Sequence, residues 1–143
     1  MSSNRKILLR PPHLNEILAH AIQTDPSECC GLIGGTSEGR SQSIYPLTNV
    51  ARNTEVAYEA APEQLFAAQR EMRERGEILL AIYHSHPRSA DPTPSETDVR
   101  LAYYPSANYL IIGLGGHEPV VKAFVISEQD RGWRQVEYEV SDE

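Results

Sequence analysis

Residues 78–83 (ILLAIY) are apolar throughout and run without a break into His84-Ser85-His86-Pro87. An apolar run of this length reads as a buried strand. A second such run, residues 28–35 (ECCGLIGG), opens on a carboxylate and ends in glycines. A helical pattern precedes each run. Leu14, Ile17, Leu18, Ala21 and Ile22 recur at helical spacing over residues 13–24, and Pro12 sits where a first turn tolerates proline. Pro62 opens a second amphipathic helix with Leu65, Phe66, Met72 and neighbouring alanines on its apolar side, stopping near Gly76 as a C-cap. Further strands are expected at residues 6–9, 41–47 and 56–59, and a third helix from Pro94 to about Tyr103. Three strands at residues 109–114, 120–126 and 134–140 close the chain. This order predicts an α/β fold, a central mixed sheet flanked by helices.

The 143 residues carry no internal repeat or linker, which predicts a single domain over residues 1–143. A formal net charge of −7 with no basic cluster excludes nucleic acid as the expected partner. The first ten residues lack an apolar signal core and no apolar run is long enough to span a bilayer, so a cytoplasmic protein without a membrane partner is expected. The two cysteines, Cys29 and Cys30, are adjacent and would face opposite sides of a strand, so they read as buried or half-buried free thiols. That fits a reducing compartment.

Residues 84–98 (HSHPRSADPTPSETD) carry the chemistry. His84 and His86 are two apart on a strand and share a face, so both imidazoles can converge on one ion. Zinc accepts two nitrogens and one carboxylate oxygen and keeps a fourth position for water, and Asp98 can complete that set. Thr93, Pro94 and Glu96 have the form of a capping box, with Thr93 as N-cap. Ser95 and Asp98 are then left on one face of the first turn, although Ser95-x-x-Asp98 has a capping pattern of its own. Hydrolysis also needs a base, and Glu28 at the head of a buried strand is the candidate, since a carboxylate entering a core needs a partner or a task. Ser95 would donate a hydrogen bond to the developing oxyanion. Tyr83 should point away from both histidines. His13, His20 and His117 read as surface or helix-face residues, and Trp133, Tyr103 and Tyr104 as core or rim packing.

HSHP followed by PSETD, with ECCGLIGG upstream, resembles the JAMM (MPN-plus) metalloprotease family over most of the chain. The resemblance implies a cytidine-deaminase-like three-layer α/β fold. It implies one zinc per chain on His84, His86 and Asp98, with Glu28 as acid/base and Ser95 as oxyanion-stabilising serine. Eight residues separate His86 from Ser95, one more than the family's usual spacing, and the extra residue falls in a proline-containing loop where insertion is cheap. The family cleaves amide or isopeptide bonds after the Gly-Gly tail of ubiquitin-like proteins. So short a chain resembles the small stand-alone prokaryotic members, which release sulfur carriers from C-terminal adducts such as cysteine or remove ubiquitin-like modifiers. Family habit implies a homodimer.

Other classes fit less well. Zinc deaminases want H-x-E and a downstream P-C-x-x-C, both missing here. Barrel amidohydrolases with His-x-His need about 250 residues. A non-enzymatic alternative is a metal-binding module that recognises ubiquitin-like tails or scaffolds a complex.

Overall fold

The computed structural model describes residues 6–100, 102, 104, 106–127 and 132–142. In chain order the elements are β1 (Ile7–Leu9), α1 (Pro11–Thr24), β2 (Cys30–Gly35), β3 (Ser41–Leu47), α2 (Pro62–Glu74) and β4 (Ile78–His86). Then follow α3 (Glu96–Arg100), β5 (Asn108–Gly113), β6 (Val120–Ser127), β7 (Gly132–Val136) and β8 (Tyr138–Val140). Six strands form one sheet in the order β3-β2-β4-β5-β6-β7, while β1 and β8 pair separately and parallel. Within the six, β4 and β5 run parallel and the other neighbours antiparallel, so the sheet is mixed.

Strand alternation divides the core into two layers. Cys29, Ile33, Ala81, Tyr83, Leu110 and Ile112 pack with Ile17 and Ala21 of α1 on one face. Cys30, Leu32, Ile82, Tyr109 and Ile126 pack with Ala68 and Met72 of α2 on the other. The result is the expected helix–sheet–helix arrangement. Among the described residues no helix is long and apolar enough to cross a membrane.

Several elements differ from the sequence reading. Helix α1 begins at Pro11, so both prolines occupy its first turn, where a missing N–H costs nothing. Strand β2 begins at Cys30, which leaves Glu28 ahead of the sheet ladder. Strand β4 continues through His86, because β5 supplies partners as far as Gly113. No strand forms at residues 56–59; an isolated bridge joins Asn49 to Ala60, and Val56 is exposed. Phe66, expected on the buried side of α2, is 65% exposed, while Ala68 and Met72 are buried as expected. The expected terminal strand splits at Glu137, and its second part leaves the main sheet for β1.

Gly76 does terminate α2. At φ +71° it adopts the left-handed conformation, with its N–H on the Arg73 carbonyl at 3.1 Å and the Glu77 N–H on Met72 at 2.9 Å, a Schellman motif. Among the described residues helix α3 covers Glu96–Arg100, and Tyr103 lies outside them. Trp133 packs edge-to-face on Phe124, as rim packing. His13 and His20 are more than surface residues, because they hydrogen-bond Ser41 and Tyr83 respectively.

Candidate metal centre

The carboxyl end of β4 faces the start of α3, the end of an open α/β sheet where ligands collect. Alternation turns His84 and His86 to one side of the strand and Tyr83 and Ser85 to the other. Tyr83 points away as expected, its hydroxyl 2.7 Å from His20 Nδ1. The two histidine Nε2 atoms are 3.2 Å apart. Asp98 Oδ2 lies 3.1 Å from His84 Nε2 and 3.0 Å from His86 Nε2. Three donor atoms therefore form a nearly equilateral triangle. Its edges match the roughly 3.3 Å separation of ligand atoms in a tetrahedron with bonds of about 2.0 Å, the geometry zinc prefers.

The capping of α3 corrects one expectation. Thr93 and Glu96 do not form the box; Ser95 and Asp98 do. Ser95 Oγ accepts the Asp98 N–H at 3.0 Å, and Asp98 Oδ2 accepts the Ser95 N–H at 2.9 Å. The helix starts at Glu96, so Ser95 stands at the N-cap and Asp98 at N3. This box fixes the aspartate rotamer and aims Oδ2 at the histidines. Accepting the Asp98 N–H occupies one lone pair of Ser95 and leaves the hydroxyl proton to be donated elsewhere.

Glu28 completes the cluster. One carboxylate oxygen, His84 and His86 place their donor atoms within 4.8 Å of one another, so these three residues are positioned to bind a metal. The Asp98 oxygen lies 3.1 and 3.0 Å from the Nε2 atoms of His84 and His86. Its Oε1 is buried without a hydrogen-bond partner.

The two carboxyls are driven apart electrically. Burial first, and then the charge of Asp98, push Glu28 up to about 8. Burial would also raise Asp98, but the charge of His84 and hydrogen bonds from His84, His86 and Ser95 outweigh it, holding Asp98 well below the usual carboxylate range. Carboxyls split in this way divide the work of a permanent anion and a proton acceptor near neutral pH.

Three residues that sequence reasoning missed hold the cluster together. Ser85 Oγ accepts the Cys29 N–H at 2.8 Å, and the Ser85 N–H donates to the Cys29 carbonyl at 3.2 Å, locking the approach to β2 against β4. Asn49 Nδ2 donates to the Glu28 carbonyl at 2.9 Å, while the Glu28 N–H donates to Thr54 at 2.7 Å. Tyr58 stacks on the His84 ring. Alternation on β4 signals Ser85; nothing local signals the other two.

The loop after His86 lies on the end of β5. A side chain at Gly113 would come within 2.5 Å of the Ser89 carbonyl, so only glycine permits this approach. The insertion in this loop is thus packed down and leaves the triangle intact. Beside the triangle opens a cleft of about 440 Å3, walled by Tyr58, Leu65, Ile82, Tyr104 and Tyr109 and bounded by Asp98.

A family model described as prokaryotic homologs of the JAB domain matches residues 10–127, a span that contains all five candidate residues. A desampylase from Haloferax volcanii is 36% identical over 121 residues, 81% of this chain and 86% of that protein. A CysO-cysteine peptidase from Mycobacterium tuberculosis is 34% identical over 107 residues, 74% of this chain and 72% of that protein. The solution structure of DSY2949 from Desulfitobacterium hafniense matches with a TM-score of 0.83 and 36% identity, covering 96% of this chain and 94% of that one. The chain belongs to the prokaryotic JAB-domain family, a small prokaryotic member of the JAMM/MPN peptidases.

Proposed function

We propose that the chain is a zinc metallopeptidase that hydrolyses the amide bond after the C-terminal Gly-Gly of a ubiquitin-like or sulfur-carrier protein. Its product would be the released carrier, freed from a conjugated protein or from an adduct such as cysteine. The observation that carries this reading is the triangle of His84, His86 and Asp98 atoms at 3.0–3.2 Å, with the partnerless Glu28 oxygen beside it.

In this reading His84, His86 and Asp98 hold one zinc per chain. Bound zinc supplies Lewis acidity and lowers the pKa of water to about 7. Glu28 accepts a proton at its carboxylate from the attacking water and delivers it to the departing amine nitrogen. Its raised affinity for protons suits both transfers. Ser95 donates a hydrogen bond from its hydroxyl to the scissile carbonyl oxygen as negative charge develops there. Asp98 remains an anion throughout, fixed by the α3 cap. A tail ending in two glycines brings no side chain to obstruct its approach.

The substrate class rests on the family resemblance together with the desampylase and CysO-cysteine peptidase relatives. Two buried free cysteines fit a reducing, cytoplasmic setting, and a homodimer follows family habit. The test is zinc content and cleavage of a Gly-Gly-tailed carrier adduct, with His86→Ala and Glu28→Gln alongside. One zinc per chain, lost in His86→Ala, with cleavage lost in Glu28→Gln, is expected. No zinc in the wild type would refute the reading. Zinc and tail binding without cleavage would favour a recognition module.

A further inference from the structure

We infer that Tyr58 is a positioning residue, holding the His84 imidazole in its productive orientation by stacking in place of a hydrogen bond. The inference rests on His84 being a metal donor, as proposed above.

A metal-binding histidine ordinarily donates its second ring N–H to a carbonyl or carboxylate, which fixes both tautomer and ring plane. His84 lacks this support, because its Nδ1 is buried without a partner. With no partner at Nδ1, the ring is hydrogen-bonded at its Nε2 end alone, and a turn about χ2 would carry Nε2 out of the triangle. The Tyr58 ring closes off that motion. Its centroid lies 4.5 Å from that of His84, with the planes 26° from parallel. His86 meets the same imidazole in a T-shaped contact at 4.9 Å and 60°, so the stacked contact on the His84 ring comes from Tyr58.

Tyr58 is itself clamped on both sides. Asn49 Nδ2 donates to the carbonyl of Ala57 at 3.0 Å, and Asn49 Oδ1 accepts the Glu59 N–H at 3.1 Å. The same Asn49 amide reaches the Glu28 carbonyl. One asparagine thus sets the positions of both the stacking ring and the carboxylate.

The chemistry also favours a π face at this place. An imidazole that shares its lone pair with a cation becomes electron-poor, and the face of a tyrosine ring attracts such a partner. The stack should therefore strengthen as the metal binds, which makes metal affinity the direct readout.

Zinc affinity of the full chain, measured by chelator competition, tests the inference without recourse to cleavage. Tyr58→Phe keeps the flat ring and should bind zinc within about twofold of wild type. Tyr58→Leu keeps apolar bulk but loses the face, and should bind about tenfold or more weakly, the scale of lost outer-shell support. Melting of the zinc-free variants checks the fold; should Tyr58→Leu fail it, Tyr58→Met carries the same test. Equal affinity for wild type and Tyr58→Leu would overturn the inference and leave the peptidase reading standing. Equal weakening in Tyr58→Phe would also overturn it, by assigning the effect to the hydroxyl. A wild type that takes no zinc would refute the reading beneath it.

Discussion

Two buried carboxylates, Glu28 and Glu77, lie near opposite ends of the same sheet, and their surroundings differ in kind. Glu77 is closed. Its Oε1 accepts the Tyr45 hydroxyl at 2.5 Å and its Oε2 the Ser43 hydroxyl at 2.6 Å, while Arg75 donates to Ser43 at 2.9 Å. Glu28 is at least as buried, 4% exposed against 9%, yet one of its oxygens has no partner. A buried carboxylate with full hydrogen bonding stabilises a fold, whereas one left without it costs stability. Glu77 anchors the α2–β4 junction. Under the proposed function, the unpaired oxygen of Glu28 serves the chemistry and not the fold.

The largest effect that could break this contrast lies in activity. Glu28→Gln should lower cleavage of a carrier adduct by about 10²–10⁴-fold, the range expected on losing a general acid–base group. Glu77→Gln should leave kcat/KM near the wild-type value, because Glu77 touches no residue of the triangle. Comparable losses in the two variants would dissolve the distinction.

Stability should move in the opposite sense. The folded chain keeps the Glu28 proton up to about pH 8, whereas the unfolded chain releases it near the ordinary value of 4.5. Between these values the native state binds more protons, so metal-free stability falls as pH rises from about 4.5 to about 8 and then levels. Asp98 acts with the other sign: its contribution is in place above the ordinary carboxylate range and is lost only in strong acid. Metal-stripped Glu28→Gln should therefore melt higher than wild type at pH 8, with the gain gone at pH 4. A variant that melts lower at pH 8 would show that the carboxylate stabilises the fold after all.

The same contrast explains what the sequence could disclose. His84, His86, Ser95 and Asp98 are placed by local rules, alternation on a strand and the i, i+3 relation of a helix cap, and both rules are written in neighbouring residues. Even there Thr93-x-x-Glu96 and Ser95-x-x-Asp98 compete, and only contact with the histidines settles which pair caps. Glu28 could be suspected from its place in an apolar run. What holds it could not, because Asn49 and Thr54 act across 21 and 26 positions of chain from a loop without periodicity. Residues 56–59 were read as a strand for a related reason. Val56 sits in a turn, and at Ala57 and Glu59 an asparagine side chain supplies the partners that a neighbouring strand would. The sheet order, likewise, follows from nonlocal pairing, so a mixed sheet could be foreseen without its order or the departure of β8.

On the closed side of the comparison, Glu77→Ala should destabilise the chain by about 2–3 kcal/mol, the scale of leaving buried hydroxyls unpaired. Chemical denaturation would measure it, and a loss under 1 kcal/mol would show that Tyr45 and Ser43 find water instead.

The smallest expected effect concerns the rim above the open carboxylate. Arg88, in the loop after His86, donates to Glu55 at 2.8 Å, joining the two loops that flank the site. Both side chains are exposed, so the pair contributes at most about 0.5 kcal/mol and weakens further with salt. Arg88→Ala should thus leave the melting temperature within a degree or two of wild type. Its sharper use is kinetic. If the bridge only spans solvent, kcat and KM both stay near wild type. A drop in KM with kcat unchanged would instead show that the bridge must open before the tail can reach Glu28, and would extend the machinery of the open carboxylate to the loop rim.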